Sequence, residues 1–531
     1  MIPEPKQHGR RRGVGHPVRN QSTRTGPRSP ARARAAVRGV DGGAKRRGRR
    51  DGTIDQRLDA AVNGLLRRSP EMSASWTLRW RQRLLIGSVV AAVAIALVVS
   101  PVRTLIVLNA IGTAGYLGVL LYNLRLFQKV IGNPGLVTVT DEEARAIPDD
   151  MLPMYTVLVP AFHEAEVIGD AIHALSALDY PASRLQILVL LEADDEETYQ
   201  AALAAEPNPS VEIVRVPYAL PRTKPKACNF GLSGSAGDLV TIYDAEDRPE
   251  PLQLRRAAAA FRRLDPSVIC LQARLQYHNV GQNLLTRWFS AEYLTWFSGM
   301  VPALVEMDAP IPLGGTSMHL RRGPLEAIGG WDPYNVTEDA DLGIRLHRMG
   351  YRTRVLDSVT YEEANSDVIN WFKQRSRWYK GYLQTWLVHL RHPLRLWREL
   401  GPSGFVHFNV LVGATPILAL LNPVFWLMIV LWFVARPGII QLIFPAWLFY
   451  PAMLSLLLGN FIAFYRTLAA VRAAGHPGLV FATLVSPLYW VLMSIAAVRA
   501  CLQLVIAPSF WEKTTHGLER PVDPAAARRA A

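Results

Sequence analysis

Two blocks of long apolar sequence bracket a charged middle, and this arrangement limits the chain more than any other feature. Leu84–Ser100 and Thr104–Leu124 contain no Asp, Glu, Lys or Arg. Each is about long enough to cross the hydrocarbon core of a bilayer. Pro101–Arg103 leaves room only for a tight turn. The basic residues of Arg79–Arg83 and the pair Arg125 and Lys129 flank the outer ends, which predicts a hairpin of two transmembrane helices over 84–124 with both ends cytoplasmic. Beyond Pro402 the pattern returns in Phe405–Val434, Ile439–Phe464 and Gly478–Ile506. The first run reads as one kinked span or two short ones, so 404–507 is expected to hold three or four transmembrane helices. Arg466 and Arg472 favour a cytoplasmic link before Gly478 and an odd number of spans. The polar, basic tail 508–531 favours a cytoplasmic end and an even number, which is the reading we adopt.

The net charge of +14 does not describe the folded part. Residues 1–50 hold fifteen Lys and Arg against Glu4 and Asp41, so the remainder is close to neutral. The stretch 1–75, rich in Arg, Gly, Pro and Ala, is expected to be a disordered basic tail suited to anionic lipid headgroups. Basicity confined to a tail argues against a nucleic-acid partner. Cys228, Cys270 and Cys501 are the only cysteines. They have neither metal-ligand spacing nor the numbers for a disulfide framework, consistent with a reducing compartment.

In 150–400 the apolar runs shorten to strand length. Tyr155–Pro160, Leu185–Leu191, Val211–Val216 and Leu239–Tyr243 each read as a buried strand bounded by turn residues. Helical patterns such as Glu166–Ala177 and Thr198–Ala205 lie between them. Strand–helix alternation predicts an α/β domain on a mostly parallel sheet, with ligands at the carboxyl ends of the strands.

Acidic and basic clusters follow those ends. Glu164 closes Val159–Glu164 after the first strand, and Glu192, Asp194 and Asp195 follow the second. Such carboxylates could hold a ribose or a base, or simply favour helix N-termini. Arg222, Lys224 and Lys226, pinned by prolines, suit a diphosphate. Asp244, Glu246 and Asp247 crowd one strand end, and a hard divalent cation bridging diphosphate oxygens would relieve their repulsion. Glu338 and Asp339 open a helical pattern; a carboxylate there could take a proton from an acceptor hydroxyl. Gln374, Arg377 and Trp378 come next, with a cation for a leaving diphosphate and a flat ring for a sugar, or for the membrane interface.

In this order, VPAFHE, LLEADD, KPKACN, DAED, TED and QRSRW resemble the inverting family 2 glycosyltransferases, in the branch that includes cellulose, chitin and hyaluronan synthases. The resemblance runs from about Tyr155 to Trp378. It implies a GT-A type, Rossmann-like cytoplasmic domain inserted between transmembrane helices, in a multi-pass protein of a bacterial-type plasma membrane. It implies a hexosyltransferase using a UDP-sugar, with Mg²⁺ or Mn²⁺ held by Asp244 and by Glu246 or Asp247. Glu192, with Glu164 and Asp194 nearby, would bind the nucleotide sugar, and Lys226 matches the lysine of the family's K-A-x-N segment. Asp339 matches the catalytic base. Glu338, Gln374, Arg377 and Trp378 would shape the acceptor and the leaving diphosphate. Gly314–Ser317 is similar to the family's segment near the acceptor sugar, and Phe510–Gly517 to a gating loop. A β-linked polysaccharide synthase is the main expectation. Transfer to a lipid or lipid-linked acceptor is the alternative, and a nucleotide-sugar-binding transporter or receptor is the reading from another class.

Overall fold

The computed structural model describes residues 54–132, 135–513 and 517. Nine strands form one sheet: β1 (Leu136–Val137), β2 (Tyr155–Ala161), β3 (Leu185–Glu192), β4 (Val211–Val216), β5 (Leu239–Ile242), β6 (Arg248–Pro249), β7 (Val268–Tyr277), β8 (Met318–Arg321) and β9 (Arg352–Glu362). Their order is β1-β9-β7-β8-β5-β2-β3-β4, with β6 paired to β9. β2, β3, β4 and β5 pair in parallel, as expected. The other half is mixed: β8 runs antiparallel to β5 and β7, and β7 runs parallel to β9. This is the GT-A arrangement, a mixed α/β sheet in which most pairings are parallel, as read from the sequence.

Along β2, Tyr155, Val157 and Val159 pack into one helical layer with Ile172, Leu175 and Leu254, while Leu158 points to the other with Phe230, Trp331 and Ile344. Alternation across the pleat therefore fills a core on both faces. Each such aliphatic side chain contributes about 1.5–3 kcal/mol by leaving water.

Ten helices build the site and its apolar surroundings: α1 (Ile54–Arg68), α2 (Trp80–Val99), α3 (Pro101–Gly132), α4 (Lys224–Gly234), α5 (Leu284–Thr295), α6 (Glu338–Arg348), α7 (Val368–His389), α8 (Thr415–Val434), α9 (Ala446–Ala473) and α10 (Ser486–Ile506). α1 corrects the expected disordered tail over its described part. Ala61, Val62 and Leu65 are buried at helical spacing, and Arg57 Nε donates to Ser233 Oγ at 3.0 Å at the end of α4. An apolar stripe one helix-face wide was enough to dock a segment whose average composition is polar. Residues 1–53 of that tail lie outside the described residues.

Among the described residues, five helical stretches are long and apolar enough to cross a membrane: Trp80–Val99, Pro101–Lys129, Pro393–Val434, Ala446–Ala473 and Ser486–Ile506. Three of them come after the α/β domain, the lower of the two expected numbers. The stretch Pro393–Val434 bends at Gly401, whose φ of 69° departs from the helix. Both ends of α10 touch the α/β domain. The Tyr489 hydroxyl donates to Glu292 Oε2 at 2.7 Å, and past the other end Lys380 Nζ donates to the carbonyl of Phe510 at 2.7 Å.

Candidate active site

The carboxyl ends of β2, β3 and β5 open on a single cavity of about 590 Å³. Glu164, Glu192, Asp244, Glu246, Glu338, Asp339, Gln374, Arg377 and Trp378 all line it, so one site gathers most of the residues singled out from the sequence.

Three expected residues, Lys226, Asp194 and Asp247, lie off the cavity wall. Lys226 is fully buried, and its Nζ stands 2.7 Å from Glu192 Oε1. Burial raises the Glu192 pKa, and the Lys226 hydrogen bond pulls it back. Asp194 is an exposed partner of Arg222, and that hydrogen bond lowers its pKa. The neighbouring Asp195 is buried and caps the next helix through the N–H of Thr198 at 3.2 Å, while taking the N–H of His163 at 2.6 Å. Asp247 sits beneath the cavity floor. Its Oδ2 accepts the N–H of Asp244 at 2.7 Å and the Thr316 hydroxyl. Burial, then the charges of Asp244 and Glu246, push its pKa up.

Lys224 is the lysine that faces the cavity. Residues two apart on a helix project about 200° from one another, so Lys224 and Lys226 at the start of α4 cannot serve one ligand. Lys224 Nζ bonds the Asp244 carboxylate and donates to the Gly315 carbonyl at 2.9 Å. Burial opposes its charge, but Asp244 and then Glu338 outweigh burial and raise its pKa. The proline-bounded cluster flagged this segment; only the helical register tells which cation faces the ligand.

Glu362, at the end of β9, also lines the cavity and carried no sequence signal. Its Oε1 and Asp247 Oδ1 are buried and lack hydrogen-bond partners. Burial and the charges of Asp247, Asp244 and Glu246 raise the Glu362 pKa. Among the described residues no three side chains of Asp, Glu, His or Cys converge tightly enough to hold an ion. Of the expected set, Asp244 and Glu246 line the cavity, while Asp247 lies off its wall, bonded to Thr316. The donor set still fits a hard divalent cation of the Mg²⁺ kind: such an ion takes one or two carboxylates plus substrate phosphates. Asp244 and Glu246 on the cavity wall offer those carboxylates, and the orphaned oxygens beneath them mark excess negative charge.

Glu338 and Asp339 begin α6. Asp339 Oδ1 accepts the N–H of Ala340 at 2.7 Å. Burial raises the Asp339 pKa, against the pull of that N–H and of Lys224 and Arg377. Burial and the adjacent Asp339 push Glu338 up to about 8. Gly315 crosses in front of the pair. A Cβ there would lie 3.2 Å from Asp339 Oδ2 and 3.8 Å from Lys224 Nζ.

From α7, Gln374 accepts a hydrogen bond from Asn365 at 2.9 Å. Arg377 lies 4.6 Å from the centroid of the Trp511 ring. Trp378 stacks on Tyr293 with centroids 6.3 Å apart. Trp511 and Lys513, from the segment expected to resemble a gating loop, line the cavity too. Residues 514–516 of that segment lie outside the described residues.

A family model described as glycosyltransferase like family 2 matches residues 153–381, the stretch that carries every site residue from β2 to Trp378. Over those residues the domain matches glycosyltransferase family 2. It is 28% identical over 255 residues to a "Probable glycosyltransferase YdaM" of Bacillus subtilis, covering 47% of this chain and 60% of that protein. It is 29% identical over 244 residues to a beta-monoglucosyldiacylglycerol synthase of Synechocystis sp., covering 45% of this chain and 50% of that protein. The chain thus spans about half the length of the curated relatives it matches. Among solved structures, a mannosyltransferase from Pyrobaculum calidifontis in complex with GDP-Man and Mn²⁺ is 20% identical, with a TM-score of 0.48, over 75% of this chain and 99% of that one.

The glycosyltransferase domain does not end the cavity. Beyond Trp378 its wall continues through Ala463, Arg466 and Thr467 of α9 and Trp490 and Met493 of α10, between the apolar helices.

Proposed function

We propose that this protein is an inverting glycosyltransferase that moves a sugar from a nucleoside-diphosphate donor, UDP by resemblance, onto a lipid acceptor at the cytoplasmic face of a membrane. The observation that carries this reading is the unbroken cavity from Glu192 and Asp244, past Asp339, to Arg466 and Trp490 of the apolar helices. A donor enters from the water side, and a lipid hydroxyl reaches the same base from the bilayer side. Curated relatives named for glucosyldiacylglycerol synthesis favour a lipid acceptor over the polysaccharide first expected.

In this mechanism Glu192, held by Lys226, meets the nucleoside, and Lys224 and Arg377 stabilise charge on the diphosphate as it leaves. A divalent cation, when bound at Asp244 and Glu246, would neutralise part of that charge. Asp339 takes the proton of the acceptor hydroxyl, whose oxygen attacks the anomeric carbon from the face opposite the diphosphate. One displacement inverts the configuration, so an α-linked donor gives a β-glycoside. Trp378, locked against Tyr293 and Phe289, walls the acceptor side.

The membrane arrangement belongs to the same reading. Trp80–Val99, Pro101–Lys129, α8 and α9 cross the bilayer, and α10 lies along its cytoplasmic surface. Leu488, Val491, Ile495, Val498, Leu502 and Val505 form an exposed apolar stripe on α10, while Tyr489, Ala496, Ala497 and Ala500 face the protein. Both ends of α10 are tied to the cytoplasmic domain, which supports a helix lying at the interface in place of a span. Four crossings return the C-terminus to the cytoplasmic side.

The test uses full-length protein in nanodiscs with Mn²⁺ or Mg²⁺, a panel of UDP- and GDP-sugars, and lipid acceptors. Release of nucleoside diphosphate with one labelled lipid supports the reading. A long polymer replaces it with the polysaccharide synthase. Tight donor binding without release across all acceptors replaces it with a transporter or receptor.

A further inference from the structure

Most cations on the cavity wall have a carboxylate or a row of carbonyls to answer them. Arg222 meets Asp194, Lys224 meets Asp244, and Lys513 bonds the carbonyls of Phe162 and His163. Arg377 stands in the field of Glu338 and Asp339. Arg466 differs. Nη1 donates to Asn123 Oδ1 at 2.8 Å, a neutral acceptor. Nε is shielded from solvent and has no hydrogen-bond partner. Among the described residues no carboxylate lies within ion-pair distance of it.

A guanidinium carries five N–H donors and cannot discard its charge. Leaving it unpaired among apolar side chains is costly, so such a residue in a membrane helix marks a ligand or a pathway. The surroundings carry no counter-charge: the rings of Phe464 and Trp490 lie with centroids 5.4 Å apart on α9 and α10, and the polar neighbours on the wall, Thr467 and Ser486, are neutral. Asn123 of α3 holds the guanidinium at the cavity wall, away from the outward course it would take to reach bulk headgroups.

Depth fixes the kind of anion. Arg466 precedes Ala473, the end of α9, by seven residues, which at 1.5 Å per residue is about 10 Å. That end of α9 packs on the domain, where Val471 clusters with Ala291 and Leu294 of α5. With α9 crossing as proposed, this places the guanidinium near the layer where headgroups meet hydrocarbon. We infer that Arg466 seats the phosphate of an anionic lipid acceptor, such as a phosphatidyl lipid with a free hydroxyl, so that the hydroxyl reaches Asp339 with the acyl chains between the apolar helices. Planar, forked donors suit two phosphate oxygens at once. A neutral acceptor such as diacylglycerol would leave the cation unanswered. The inference rests on the lipid-acceptor reading and adds the charge of the lipid to it.

The experiment uses full-length protein in phosphatidylcholine vesicles doped with either phosphatidylglycerol or diacylglycerol, with labelled donor sugar. Wild type is expected to favour phosphatidylglycerol by at least tenfold in kcat/KM. Arg466→Gln is expected to erase that preference through the KM for lipid, without moving the KM for donor, and Arg466→Lys to restore part of it. The wild-type preference is read without any variant, so a poorly folding Arg466→Gln does not rescue the idea. Preference for diacylglycerol, or a ratio that Arg466→Gln does not change, overturns the inference and leaves the lipid-acceptor reading standing. Soluble glycerol phosphate accepting sugar as well as phosphatidylglycerol, with the same Arg466 dependence, overturns the lipid as the source of the phosphate. Polymer with no labelled lipid overturns the lipid-acceptor reading itself.

Discussion

Lys226 Nζ stands 2.7 Å from Glu192 Oε1, and the lysine has no exposed surface. The pair fixes the last residue of β3 at the rim of the cavity, so the lysine positions the carboxylate and does not itself meet a ligand. Lys226→Met would leave the buried Glu192 with only the more distant Arg222, whose Nε stands 3.9 Å from Oε2. Removing one member of a buried pair costs about 3–5 kcal/mol. The expected outcome is a marked fall in Tm, read by thermal unfolding in detergent. An unchanged Tm with weaker donor binding would place Lys226 at the ligand instead.

Asp339→Asn removes the proposed base and keeps the shape. Loss of general-base help costs about 10²–10⁴-fold in kcat. Donor binding, measured by calorimetry, should be retained. Gly315→Ala tests the same spot from the opposite side, because its Cβ would crowd Asp339 Oδ2 at 3.2 Å. Displacing the base by a few tenths of an ångström is expected to lower kcat about tenfold or more with little change in Tm. Activity near wild type would show that the acceptor does not pass between Gly315 and Asp339.

Glu338 and Asp339 titrate as a pair, with Glu338 pushed up to about 8 by burial and by its neighbour. The base must be ionised to act, so kcat/KM should rise with pH along a limb set by this pair. Glu338→Gln removes the like charge, favours ionised Asp339, and should move that limb to lower pH by about a unit. For stability the sign is opposite: a carboxyl with a raised folded pKa contributes most below its unfolded value and loses that contribution as pH rises through about 8. A limb unmoved by Glu338→Gln would mean that Asp339 is not the titrating base.

Half of the sheet was legible and half was not, for a physical reason. β2, β3 and β5 are covered on both faces and read as apolar runs, whereas the edge strand β4, expected to be buried, carries exposed Glu212 and Arg215. β9 spells Arg352 to Glu362 with a charged or hydroxyl residue at most positions, yet Val355, Leu356 and Thr360 are buried. Glu362 at its end was invisible with it. The acids Glu338 and Asp339 were legible through their place in the motif order, TED before QRSRW, since acids at a helix start are ordinary. Lys224 and Lys226 needed the helical register. Asp247 needed the fold, since a turn acid that bonds Thr316 and one that binds a metal look the same in sequence.

The same gap between average and face bears on the last helix. By hydropathy α10 is long and apolar enough to span; the anchors at Tyr489 and Phe510 support the proposed arrangement, in which it lies on the surface. The two arrangements put residue 509 on opposite sides of the bilayer. In sealed inside-out vesicles, Ser509→Cys in a background without the native cysteines should react with an impermeant maleimide added outside, on the cytoplasmic face. Gly438→Cys, between α8 and α9, should react only after the vesicles are opened. Protection of Ser509→Cys until opening would make α10 a fifth crossing. It would also place Trp511 and Lys513 away from the cavity they line, at odds with the cation–π contact of Arg377 with Trp511 at 4.6 Å. Trp511→Ala should therefore weaken donor retention together with any change in the accessibility of residue 509, whereas loss of one without the other would separate the two roles.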